Sequence, residues 1–231
     1  MWTVPNIWVG GDVWIIGGGP SVIEQFNIPK SVVTSVINKT ATPACYSPYM
    51  ESIHKKHIIA INASFMIGNW MDMIFFADKK FILLFQKELS VCSGIKICNN
   101  AYSERYNWVK YVPNDNKKRA GICEQRNKVS WNGNSGAAAI SIAAHTGAKR
   151  IFLLGFDMNL HKDYKQHWHS LYLNDQFNPG TAKKLPFAKH LQGFPRIQQD
   201  AKRRGIEIFN VNPNSEIDCF EKITLKEALC K

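Results

Sequence analysis

The stretch DVWIIGGGPS at residues 12 to 21 constrains this chain most, because an apolar run passes directly into three glycines, a proline and a serine. Val13, Trp14, Ile15 and Ile16 form the unbroken apolar run expected of a strand buried on both faces of a parallel sheet. Gly17, Gly18 and Gly19 can take backbone angles closed to other residues, and without side chains they let a ligand approach main-chain N–H groups. Pro20 suits the first position of a helix and Ser21 its first turn, so SVIEQF is expected to be helical, with an N-terminus that attracts anions. The expected occupant is a phosphate-bearing ligand; the alternative is a plain strand-to-helix turn.

The usual glycine fingerprints do not fit. A dinucleotide fold wants G-x-G-x-x-G, but Val22 stands where the last glycine belongs, and VINKTAT at 36 to 42 offers no acid for a ribose. No Gly-Lys-Ser/Thr follows for a P-loop. This argues against NAD and against a nucleotide held in the P-loop manner.

Two further strands end in polar residues, HIIAIN at Asn62 and MIFFAD at Asp78. In open α/β sheets ligands lie beyond the carboxyl ends of the strands, which puts Asn62 and Asp78 in the crevice unless they merely cap the turns that follow. A second signal lies at 132 to 158. NGNSG offers Asn134 or Ser135 as a helix cap and a permissive Gly136. AAAISIAAHTG reads as a small-residue helix, and the strand from Ile151 to Leu154 closes on Gly155 and Asp157. If the strands are parallel, Ser135, Gly136, Gly155 and Asp157 share one sheet edge with the glycine turn.

The rest of the chain is less informative. Two tryptophans in residues 1 to 11 are expected to pack an N-terminal arm onto the sheet. SVVTSVI is compatible with a strand and PACYSPYM with a turn. GIKICNN, NWVKYVP and IEIFNV read as strands, about 183 to 204 as helical up to Gly205, and TLKEALCK as a terminal helix. Residues 114 to 130 and 159 to 185 lack an apolar period and are expected as lid segments on a single domain over 1 to 231. The alternation of strand and helix gives the α/β class, a doubly wound, mostly parallel sheet with a small lid region.

Composition sets outer bounds. At 231 residues and 45% hydrophobic, the chain matches one large α/β domain. Six cysteines form no C-x-x-C pair, so neither a zinc ribbon nor a disulfide framework is suggested. No run of 18 apolar residues and no signal-peptide order is present, so no membrane span and a cytoplasmic location are expected. The formal charge of +11 favours anionic partners, although basic clusters such as Lys202, Arg203 and Arg204 often simply face solvent. His161, His167 and His169 lack the fixed spacing of a metal site; His167 or His169 is instead a candidate general base, with a structural role the alternative.

The ordered set GGGPS, IIAIN, FFAD, NSGAAAISIAAHTGAKRIFLLGFDM, HWH and VNPNSEIDCF resembles a Rossmann-like superfamily. Its members include bacterial sialyltransferases using CMP-activated sugars, motility-associated flagellin glycosyltransferases and 6-hydroxymethylpterin diphosphokinase-like proteins. The likeness covers roughly residues 12 to 25, 57 to 80 and 130 to 222, and is greatest to small phage-encoded members. It implies nucleotide contacts at Gly18, Gly19, Pro20, Ser21, Asn62, Ser135, Gly136, Gly155 and Asp157, with Asp78 in the same crevice. His169, or else His167, is implied as the base, and Tyr164 or Tyr172 as holders of the leaving phosphate. The loop from Asp157 to the histidines is shorter than in those sialyltransferases, and the extra domains of the flagellin-modifying relatives are not expected here.

The resemblance implies a glycosyltransferase taking a nucleotide-activated sugar, with no metal or cofactor required. An anionic acceptor, DNA or a glycan, is compatible with the charge, and so is a homo-oligomer. Two alternatives stand beside it: an ATP- and Mg²⁺-dependent pterin-type diphosphokinase with Asp78 and Asp157 on the metal, and a nucleotide- or nucleic-acid-binding protein without catalysis.

Overall fold

The apolar run before the glycines forms β1 (Asp12–Ile16), and the chain winds away from it in both directions. The computed structural model describes residues 2–117, 120–160, 167–169 and 187–231. The first half adds α1 (Ser21–Gln25), α2 (Lys30–Ile37), a 3-10 segment (Pro43–Ile53), β2 (His57–Ile61) and a second 3-10 segment (Asn62–Ile67). It continues with β3 (Met73–Phe76), α3 (Lys79–Val91), β4 (Ile95–Cys98), a third 3-10 segment (Ala101–Arg105) and β5 (Val109–Tyr111). The second half supplies α4 (Ser135–His145), β6 (Arg150–Leu154), α5 (Phe187–Leu191), α6 (Phe194–Arg204), β7 (Glu207–Asn210), β8 (Glu221–Lys222) and α7 (Leu225–Cys230).

These strands form one parallel sheet in the order β5-β4-β3-β2-β1-β6-β7-β8. Alternate residues feed two apolar layers, as the pleat requires. Trp14 and Ile16 of β1 join one layer with Phe81, Phe85 and Leu89 of α3 and Val36 of α2. Val13 and Ile15 join the other with the α4 alanines and Ile197 and Ala201 of α6. Each such apolar side chain contributes on the order of 1.5–3 kcal/mol by leaving water. Ala137, Ala138, Ala139 and Ala143 are fully buried, so α4 lies close against β1, β2 and β3. The N-terminal arm packs as expected, with Val4 and Trp8 buried and the Trp8 N–H donating to Thr146 O at 2.8 Å.

One segment differs from the sequence reading. SVVTSVI lies in α2, not a strand: Pro29 opens the helix, and Val32, Val33 and Val36, three and four residues apart, turn one face to the core. α3 begins directly after Asp78 and runs to Val91, because Phe81, Phe85 and Leu89 repeat every four residues. Within 114–130, expected as a lid, Gly121, Ile122 and Cys123 are buried. The Ile122 N–H donates to buried Asp200, and Arg204 donates to the carbonyls of Ile122 and Cys123. One member of the basic 202–204 cluster thus staples this loop to α6. Of the other expected lid, 159–185, only residues 159, 160 and 167–169 are described.

Candidate functional site

The strand order reverses between β1 and β6: the chain leaves β1 toward β2 and β5, and leaves β6 toward β7 and β8. The loops beyond their carboxyl ends therefore part, which is where open α/β sheets bind ligands. A cleft of about 1180 Å³ opens there. Its floor is Gly17, Gly18, Gly19 and Gly155, with Asn62 from the end of β2; its walls are the first turns of α3 and α4 and the start of α5.

The glycine turn has a packing reason beside the one its sequence suggested. A Cβ on Gly17 would lie 2.8 Å from Gly155 O, and one on Gly19 would lie 2.6 Å from both Gly155 O and the Asp157 carboxylate. These two glycines admit the β6 loop. The Ser21 N–H, at the head of α1, donates to Asp157 Oδ2 at 2.9 Å. The Ser21 hydroxyl donates to Asp157 Oδ1, as does Asn212 Nδ2 at 2.8 Å. The anion expected at this helix start is thus the protein's own carboxylate. Burial pushes the Asp157 carboxyl above its ordinary range, and the donors from Ser21 and Asn212 pull against that rise. Ser21 and Asp157 clamp the β1 and β6 loops together through these bonds, and of the two Asp157 lines the cleft. Pro20, in helical conformation at the N-cap of α1, is buried and does not line the cleft.

The HWH motif is anchored by its tryptophan. Trp168 is buried beneath the turn, its backbone N–H donating to Gly18 O at 2.9 Å and its indole N–H to Gly17 O at 3.1 Å. Tyr46 packs on it edge to face. This fixes the two histidines, whose rings stack with centroids 5.2 Å apart. His167 lies in the cleft over Gly18, where a Cβ would meet its Nδ1 at 2.7 Å. His169 is 8% exposed and does not line the cleft. Desolvation, reinforced by the neighbouring His167, holds its pKa well below the ordinary value. Of the two base candidates, His167 lines the cleft and His169 packs behind it. Tyr164 and Tyr172 lie outside the described residues.

The remaining expected residues converge on the cleft. Asn62 starts its 3-10 segment at φ +49°, and its Oδ1 is buried with no hydrogen-bond partner among the described residues. Asp78 stands at the N-cap of α3, exposed at the rim. Of the two cap candidates before α4, Asn134 is the cap: its Oδ1 accepts from Ala137 N at 2.8 Å, and its Nδ2 donates to His190 O at 3.1 Å. Ser135 and Gly136 form the first turn, which carries no acid and so presents an electropositive end to the cleft. Gly136 is required because a Cβ would sit 2.9 Å from the Phe156 ring.

Sequence reading missed Lys79, Lys80, Trp131, Lys189 and His190, all on the walls. The lysines carried a signal, since they directly follow a strand ending in Asp78. Trp131 and His190 meet the site only through folding.

No protein-family model matches the chain, and no curated protein does. Solved structures do. The MAf glycosyltransferase from Magnetospirillum magneticum AMB-1 superposes with a TM-score of 0.55 at 10% identity, over 96% of this chain and 35% of that one. The sialyltransferase CstII from Campylobacter jejuni, in complex with cytidine-5'-monophosphate, gives 0.49 at 13% identity over 92% and 84% of the two chains. The chain spans about a third of the length of the MAf protein. The first likeness shows a shared α/β fold.

Proposed function

We propose that this chain is a glycosyltransferase that uses a nucleotide-activated sugar without a metal ion. The observation that carries the reading is the placement of His167 over Gly18, in the same cleft as the open first turn of α4. The Ser135 and Gly136 amides receive the donor phosphate, with Lys189 beside them. The orphaned Asn62 Oδ1 accepts from a donor group on the base or ribose, since a buried acceptor left unpaired is costly.

His167 takes the proton of the acceptor hydroxyl as that oxygen bonds to the anomeric carbon. The bond from that carbon to the phosphate oxygen breaks, and its electron pair leaves on the phosphate, stabilised at the head of α4. A positioned general base supplies roughly 10²–10⁴-fold, and alignment of the reactants and stabilisation of the leaving group supply the rest. The fold shared with the MAf glycosyltransferase supports the reading, as do the sequence motifs.

The diphosphokinase alternative needs Asp78 and Asp157 together on Mg²⁺. Asp157 is bonded to Ser21 and Asn212 beneath the glycine turn, which disfavours that pairing. The test is release of free nucleotide from CMP-, UDP- and GDP-sugars, with and without EDTA. The reading expects EDTA-insensitive release from one donor family, abolished in His167→Ala. Activity with ATP only in the presence of Mg²⁺ supports the diphosphokinase, and tight binding of an intact donor without turnover supports a non-catalytic protein.

A further inference from the structure

The walls of the cleft differ in chemistry. The glycine turn, Asn62 and α4 account for the donor in the reading above, and this leaves the α3 wall without a role. That wall holds Lys79, Lys80 and Leu84. Both lysines occupy the first turn of α3, where the helix dipole disfavours cations and where the one neighbouring acid in sequence is Asp78 at the N-cap. Residues placed against local preference are expected at functional or strained positions. Lys79 is held with Nζ 4.5 Å from the Tyr102 ring centroid, and the Arg105 guanidinium lies 4.7 Å from the same ring. Three basic groups thus gather at this rim. Asp78 is the acid beside them, and no ion pair joins it to either lysine among the described residues. Next to the lysines Leu84 is 56% exposed, an apolar surface inside a cationic one.

We infer that the α3 wall is the acceptor subsite, and that it selects an acceptor carrying a phosphate or carboxylate near its reacting hydroxyl. The anion sits between Lys79 and Lys80, and the apolar face of the acceptor ring rests on Leu84. The inference rests on the glycosyltransferase reading for the word acceptor, but the binding chemistry stands on this wall alone.

The experiment is calorimetric binding of three matched probes to the full chain: galactose, galactose 6-phosphate and galacturonic acid. Binding needs no turnover, so failure of the transferase reading would appear separately, as absence of nucleotide release. The expected result is at least tenfold tighter binding of one or both charged probes than of galactose. Lys79→Ala with Lys80→Ala should remove that preference while leaving the melting temperature of the protein unchanged. The phosphate and carboxylate arms identify which anion the wall takes. Equal binding of all three probes, or a preference that survives in the double variant, overturns the inference. A Lys79→Arg, Lys80→Arg variant should keep the preference, and its loss there would also count against it.

Discussion

Replacing Ser21 by alanine separates the clamp from the ligand site. The hydroxyl donates to Asp157 Oδ1, while the backbone N–H and Asn212 hold the carboxylate independently. A hydrogen bond to a charged group contributes roughly 1.5–3 kcal/mol, so Ser21→Ala should cost about 2 kcal/mol at neutral pH. For a chain of this size that lowers the melting temperature by about 4–8 °C. The deficit should depend on pH with a definite sign. Asp157 has a folded pKa above its unfolded one, so its protonated form is favoured on folding. Its contribution is most favourable below the unfolded value of about 3.9 and is lost as pH rises through the folded pKa. Loss of the hydroxyl raises the folded pKa further, so the variant's deficit should shrink as pH falls toward about 4. Urea unfolding at several pH values measures this, and nucleotide titration of the folded variant should give nearly unchanged affinity. A tenfold loss of affinity with stability unchanged would refute the clamp and restore Ser21 as a ligand contact.

Other outcomes follow from the same geometry. His145 is buried with its ring nitrogen 3.1 Å from Lys128 O, and burial lowers its pKa from 6.5 to about 4. Its stabilising contribution is complete above pH 6.5 and should fall by about 3 kcal/mol as pH drops toward 4, which His145→Gln should flatten in pH-dependent unfolding. Trp168→Ala should cost about 3–5 kcal/mol in denaturant unfolding, and Trp168→Phe less, since part of the ring volume and the indole bond to Gly17 are lost but a buried aromatic ring remains. His169→Ala should act on melting temperature, whereas His167→Ala should reduce turnover by at least about 10²-fold with donor affinity retained.

The path of the chain was legible because it rests on local pattern. Buried strands announced themselves as apolar runs, and Asn62, Asp78 and Asp157 were placed at strand ends. The direction of a side chain at such an end was not legible. The Asp157 carboxylate is held by Ser21, 136 residues earlier, and by Asn212, partners that no local pattern announces. The same holds for the loop before α4, whose lack of apolar period concealed Ile122 and Cys123. Their burial is fixed by Asp200 and Arg204, about 80 residues on. In HWH the histidines drew attention as chemistry, but the tryptophan between them sets which one reaches the cleft. α2 shows a subtler failure, since β-branched residues favour strands and an amphipathic spacing beneath them overrode that preference.

The central claim is that donor phosphate binds at the head of α4 and not at the head of α1. Backbone amide NMR of the ¹⁵N-labelled protein, titrated with the nucleotide that binds tightest, tests it directly. The largest shifts are expected at Ser135, Gly136 and Gly18, with the Ser21 amide little changed because Asp157 holds it. A dominant shift at Ser21, with Ser135 and Gly136 unmoved, would contradict it.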